Sequence, residues 1–247
     1  MNILLASSEV FPYSKTGGLA DMVGALSKAL AVDGHTVRVI TPLYRGLQQK
    51  HPLQRTDISF SLPLGATTQT GILWMTRPAD GLTLYFVEHT AFFDRSALYG
   101  EAGRDYPDNA ARFIFFSKAV AHLSRVLPNP PELVHVHDWQ AGLVPLFIRQ
   151  QQLAFPQSKA PATLITIHNL AYQGVFPYSD YSLTNLPTEY FNPEGLEFHS
   201  YINCLKAGIV YSDLITTVSP RYAREITTEQ FGCGLDGVLR ARQDRLV

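Results

Sequence analysis

The chain has 247 residues, 46% of them hydrophobic and 17% charged, with a formal net charge of −1. That length and apolar content can bury a full core, as one large domain or two small ones. The near-neutral balance carries no electrostatic footprint for nucleic acid or an anionic membrane surface, and no apolar run approaches the roughly 20 residues that span a bilayer.

The first run, NILLAS, is short and apolar and reads as a strand; MNILLAS has no basic n-region and too short an apolar core for a signal peptide. Leu19, Val23, Leu26 and Leu30 then recur at helical spacing, which predicts a helix through Ala31 ended by Asp33-Gly34-His35. TVRVITP (36–42) follows as a second strand, so the chain opens on a βαβ unit with a parallel pair and a right-handed crossover. Residues 57–89 differ in character. ISFSLPL, GILWMT and LTLYFVEH are β-rich runs divided by Gly and Pro, and predict added strands or hairpins.

From Asn109 the alternation resumes, with a helix over 109–127 broken by PNPPE. A buried strand (LVHVHD), a helix (AGLVPLFIRQQQ), a strand (ATLITIHN), a helix (SYINCLKAGIVYS) and a strand (LITTVS) follow. Ser219 and Pro220 suit the N-cap and first position of a last helix, with Gly232 as its stop. The pattern is that of an α/β, Rossmann-like, mostly parallel sheet with helices on both faces. Cys204 and Cys233 fit neither a disulfide framework nor a metal site and are expected to be reduced.

In such sheets ligands sit outside the carboxyl ends of the strands. Here three strand ends carry polar groups: Lys15 with Gly17 and Gly18, then Asp138-Trp139-Gln140, then His168-Asn169. Each has a plain structural reading alone, as turn glycines, a helix cap, a packed aromatic or a satisfied core histidine. Together they converge on one crevice. A dinucleotide is disfavoured, because KTGGLAD is not G-x-G-x-x-G and the second strand ends in Thr41-Pro42 where an acid for the ribose belongs. There is no Walker A pattern, no D-x-D pair and no metal-ligand spacing. What remains is backbone N–H groups at a helix N-terminus plus a lysine, suited to phosphate or developing negative charge, beside groups that stack on and grip sugars.

KTGGLADMVGALSKAL resembles the K-x-G-G-L signature of bacterial glycogen synthases and plant-type starch synthases. VHVHDWQAGL, TIHNLAYQG, GLEFHSYINCLKAGIVYSD and TTVSPRYAREI resemble the same family in order and approximate spacing. The resemblance runs from residue 1 to about residue 238 and is weakest over 45–82. Gln140 departs from it, since many bacterial members carry histidine after H-D-W; glutamine keeps hydrogen-bonding capacity.

The resemblance implies the N-terminal half of a two-domain GT-B glycosyltransferase. Residues 1–247 would be the acceptor-side domain, and a C-terminal nucleotide-binding domain outside this sequence would be its partner across the active-site cleft. The implied reaction is retaining transfer of glucose from ADP-glucose to the non-reducing end of an α-1,4-glucan, with no cofactor and no metal. Lys15 would stand beside the departing diphosphate and Gly17 and Gly18 would let the backbone approach it. Asp21 would orient the donor region or serve the helix. His168, with Asn169 close by, would lie against the donor glucose. Tyr99, Asp138, Trp139 and Gln140 would line the acceptor side. Glu9 stays unassigned, and Asn203 and Lys206 read as structural. The implied compartment is a bacterial cytoplasm, and this chain alone is expected to be inactive. Two alternatives stay open: a non-catalytic glucan-binding module, and another nucleotide-sugar glycosyltransferase of the same fold.

Overall fold

The computed structural model describes residues 1–247. Its main sheet is built from β1 (Asn2–Ala6), β2 (Thr36–Pro42), β3 (Gln54–Leu64), β4 (Thr67–Ala79), β5 (Leu82–Glu88), β6 (Leu133–His137), β7 (Ala162–Ile167) and β8 (Leu214–Thr217). The eight strands lie in the order β8-β7-β6-β1-β2-β5-β4-β3. From β8 across to β5 all neighbours are parallel, while β4 runs antiparallel to both β5 and β3. Central strands covered on both faces should be continuous apolar runs, and Leu4, Leu5 and Ala6 of β1 are fully buried. The edge hairpin has one wet face, so β3 alternates: Phe60, Leu62 and Leu64 point inward between exposed neighbours.

The principal helices are α1 (Gly18–Val32), α2 (Asn109–Val126), α3 (Val144–Ala154), α4 (Cys204–Tyr211) and α5 (Pro220–Glu225). Helix α2 is the centre of the core. Phe113, Ile114, Phe115 and Phe116 are all buried, because the helix packs on α3 and also beneath the β3–β4 hairpin. A helix apolar on nearly every side belongs in the interior. Its two buried basic residues, Arg112 and Lys118, are tied to backbone carbonyls and asparagine side-chain oxygens rather than to acids. Lys118 Nζ donates to Pro63 O (2.6 Å), Leu183 O (2.9 Å) and Asn185 Oδ1 (2.6 Å), clamping the hairpin and the loop around residue 183 onto α2. No helix is long and apolar enough to cross a membrane.

The structure departs from the sequence reading at β5, α4 and α5, among other places. LTLYFVEH belongs to the parallel part of the sheet: β5 pairs in parallel with β2, and only the β3–β4 hairpin, which precedes β5 in the chain, is added on its outer side. Tyr201–Asn203 form a short strand instead of a first helical turn, and Asn203 then caps α4 by accepting the Lys206 N–H at 2.9 Å. Ser219 caps α5 as expected, accepting the Tyr222 N–H at 3.0 Å, but the helix ends at Glu225 and not at Gly232. Ile226, Thr227 and Thr228 are three β-branched residues in succession, and both threonine hydroxyls turn back onto carbonyls, those of Arg224 and Glu225.

Strand order reverses at β1, whose neighbours are β2 on one side and β6 on the other. Such a switch point opens a crevice at the carboxyl ends of the strands.

Replacing Lys118 by Met removes the buried charge but strands three acceptors. We expect a loss of about 2–3 kcal/mol, read as a lowered urea midpoint. An unchanged midpoint would show that the clamp contributes nothing.

Candidate active site

The crevice at the switch point is a cleft of about 910 Å³. Of the residues singled out from sequence, Gly17, Gly18, Tyr99, Asp138, Trp139, Gln140, His168 and Asn169 line it. Lys15 and Asp21 do not. Both are exposed at its rim, paired with each other (Nζ to Oδ2, 2.7 Å), and the Lys15 ammonium lies 5.7 Å from the Phe11 ring centroid.

The loop after β1 is organised from beneath by Glu9, which is only 3% exposed. Its carboxylate accepts the Thr16 N–H (2.5 Å), the Thr16 hydroxyl (2.5 Å), the Gly17 N–H (3.3 Å) and the Tyr99 hydroxyl (2.7 Å). A phenol has one proton, so with that proton on Glu9 the 2.7 Å contact to Ser8 is donated by Ser8. Burial, with the negative charge of Glu9 beside it, holds the Tyr99 phenol well above its ordinary range. The Tyr99 carbonyl in turn accepts from Asn109 Nδ2 (2.8 Å), and Asn109 Oδ1 accepts from Arg112 Nη1 (2.6 Å). Arg112 is fully buried on α2 and also grips the carbonyls of Phe92 and Leu98. One chain of bonds thus joins the core helix to the glycine loop.

This arrangement decides which loop amides remain open. Those of Thr16 and Gly17 are taken by Glu9. No side chain caps α1, so the N–H groups of Gly18 and Leu19 in its first turn have no side-chain partner, and both residues line the cleft.

The turn after β6 carries strain. Asp138 has φ 55° and ψ −171°, a region costly for any residue with a Cβ. Its carboxylate accepts the His168 N–H at 2.8 Å and so couples the ends of β6 and β7. Burial pushes the Asp138 carboxyl up to about 7, opposed by the backbone N–H groups of His168 and Asn169. Trp139 packs edge-on against Phe113 and Phe176, with centroids 4.9 and 5.6 Å away. It also covers Gly174, whose φ is +63° and whose added Cβ would stand 2.3 Å from the indole. Gln140 is 7% exposed, and its Oε1 has no partner within the protein. Asn169 closes a short turn, its Oδ1 accepting the Ala171 N–H at 3.0 Å.

Behind these groups is a ladder of three histidines. His135 and His137 alternate along β6 with ring centroids 4.2 Å apart, and His137 Nδ1 meets His168 Nε2 at 3.2 Å. Burial lowers His135 and His168 to about 4 and His137 well below its ordinary value, so all three are neutral at neutral pH. Gln173 is a second hub: its amide bonds Asn203, Leu170 O and Cys233 O, fixing the loop that presents His168. Asn203 and Lys206 have the structural roles expected of them, Lys206 Nζ reaching the carbonyls of Pro193 and Glu197. The sequence reading took His137 alone as a satisfied histidine near the core; it missed the parts played by Ser8, Arg112 and Gln173, and left Glu9 open. Only Glu9 carried a signal, as an acid at a strand end just before the glycines.

Between about pH 4 and 6.5 the unfolded chain protonates three histidines that the folded chain keeps neutral. Asp138 acts oppositely, since the folded carboxyl retains a proton that the unfolded one has released. Unfolding through these groups therefore takes up about two protons net, and stability rises with pH in that window. The melting temperature should fall as pH drops from 6.5 to 5; a flat or rising one would contradict a neutral buried ladder.

The family model for the starch synthase catalytic domain matches residues 2–241. A glycogen synthase of Syntrophotalea carbinolica is 45% identical over 100% of this chain and 51% of its own length. One of Opitutus terrae is 44% identical over 100% of this chain and 52% of its own. The chain spans about half the length of the curated relatives it matches. Among solved structures, the catalytic domain of starch synthase IV from Arabidopsis thaliana, bound to ADP and acarbose, superposes with a TM-score of 0.86. That match is 29% identical and covers 100% of this chain and 50% of that one. A mostly parallel sheet with its cleft at the switch point, and a family match over nearly every residue, lead to one conclusion: the chain belongs to the starch synthase catalytic domain family.

Proposed function

We propose that this chain is the acceptor-side wall of a glycogen or starch synthase. In the whole protein, glucose would pass from ADP-glucose to the non-reducing end of an α-1,4-glucan with retention. The second wall would be a C-terminal nucleotide-binding domain, and the setting the cytoplasm of a bacterium. The bond from the glucose C1 to the diphosphate breaks, a bond from C1 to the acceptor oxygen forms, and the acceptor proton leaves with ADP. Support comes from family membership and from the Arabidopsis relative, which was solved with ADP and acarbose in hand.

One observation carries this reading furthest. The fold itself has no need of glycine at 17 or 18. Gly17 has φ −149°, which any residue adopts, and a Cβ at either position would meet nothing within 4 Å. Bare backbone on the cleft wall therefore serves what the cleft receives. We assign that occupant as the diphosphate, met by the Gly18 and Leu19 amides and the positive end of α1. Lys15 exchanges Asp21 for the phosphate as the leaving group gains charge. The neutral His168 and Asn169 meet the glucose, and Asp138, Trp139, Gln140 and Tyr99 line the acceptor side. Backbone amides and a lysine supply the charge stabilisation, so the proposed chemistry calls on no metal and no cofactor.

Two substitutions in the whole protein test this assignment. Gly18→Ala should leave stability unchanged or raised by up to about 1 kcal/mol, because the added Cβ is free of clashes. It should nonetheless raise the ADP-glucose KM about tenfold; a normal KM would sink the diphosphate assignment. Lys15→Ala should lower kcat by about 10²–10³ with a smaller change in donor KM. A raised KM with near-normal kcat would mean that the lysine only binds the ground state.

A further inference from the structure

His168 reaches the cleft, yet one edge of its ring is turned away from it. Its Nε2 lies 3.2 Å from Nδ1 of His137, a residue with no exposed surface. Both rings are neutral at neutral pH, so each carries one proton and a single proton serves the bond between them. Two arrangements satisfy that count. In one, His168 Nε2–H donates; the His137 proton then sits on its own Nε2, which is buried and has no partner. In the other, His137 Nδ1–H donates, and its buried Nε2 is left as a bare lone pair. A buried N–H without an acceptor is the costlier and rarer defect.

From this geometry we propose that His137 sets the tautomer of His168. His137 donates from Nδ1 and His168 accepts at Nε2. The His168 proton is thereby held on Nδ1, a nitrogen that makes no bond within the protein and is not among its buried unpartnered atoms. The cleft thus meets a neutral imidazole as a hydrogen-bond donor, suited to an oxygen lone pair of a bound sugar and unable to accept a hydroxyl proton there. His137 is a positioning residue that touches no ligand itself. Neighbouring His135 does not compete for the pair, because its Nε2 is engaged by the Thr166 hydroxyl at 2.6 Å. The tautomer stands on the structure alone; its use on a sugar rests on the proposed function.

Two measurements separate these halves. Long-range ¹H–¹⁵N correlation on the histidine-labelled 247-residue chain at pH 7.5, with His168 assigned by its loss in His168→Gln, reads the tautomer directly. The expected pattern is protonated Nδ1 and unprotonated Nε2 for His168 and likewise for His137. An Nε2–H form of His168 overturns the proposal. In the whole protein, a carboxamide at 137 can mimic either ring nitrogen: Asn stands near Nδ1 and Gln near Nε2. His137→Asn should keep kcat/KM for the sugar-nucleotide within about threefold, while His137→Gln should lose about tenfold, the worth of one neutral hydrogen bond. Equal losses in the two variants, with the Nδ1–H tautomer found, would overturn the role on the sugar and leave the tautomer standing.

Discussion

A single buried carboxylate, that of Glu9, organises the wall of the cleft. It has no cation beside it, and four donors hold its charge: two from Thr16, one from Gly17 and one from Tyr99. A buried charge is tolerated only when hydrogen bonds replace the water it has lost. That requirement works in both directions. The glycine loop is pinned because Glu9 needs its amides, and Tyr99 is pinned because Glu9 needs its hydroxyl. Asn109 and Arg112 carry the constraint back into α2, so the loop at the end of β1 is set by the packing of a core helix. Glu9 also determines what the loop can offer a ligand, since it consumes two amides and leaves those of Gly18 and Leu19.

A second constraint comes from topology. The switch at β1 brings the ends of β1, β6 and β7 to one cleft although they are far apart in the chain. Asp138 then ties two of those ends together by accepting the His168 N–H, at the cost of a positive φ. Behind them the neutral histidine ladder gives an uncharged backing. The groups here suited to an anion, the open amides at the start of α1 and the Asp21-paired rim lysine, lie on the β1 side. The acceptor side holds aromatic rings and amide groups instead. That asymmetry matches the proposed division between a charged donor and a neutral glucan.

Much of this was legible in the sequence, wherever the signal was local. The alternation of short apolar runs with helical spacing located the parallel sheet, and Ser219-Pro220 marked a helix start that the structure keeps. The three polar strand ends could be read as one site because parallel sheets place their ligands by rule. What escaped was long-range. Nothing near Glu9 in sequence announces Tyr99, ninety residues away. The His137–His168 contact depends on register between β6 and β7, and Gln173 on a turn that returns to Asn203. The early end of α5 was local but subtle, because β-branched residues weaken a helix without forbidding it. Lys15 and Asp21 were grouped with the site by motif, and only coordinates reveal that they neutralise each other at its rim.

The central claim is that Glu9 occupies the Thr16 and Gly17 amides and leaves Gly18 and Leu19 to receive the diphosphate. Amide chemical-shift mapping of the ¹⁵N-labelled chain, titrated with ADP-glucose, tests it most directly. The largest shifts should fall on Gly18 and Leu19, with the β3–β4 hairpin unmoved and Thr16 changed little. Saturable shifts elsewhere, with Gly18 and Leu19 unmoved, would contradict it.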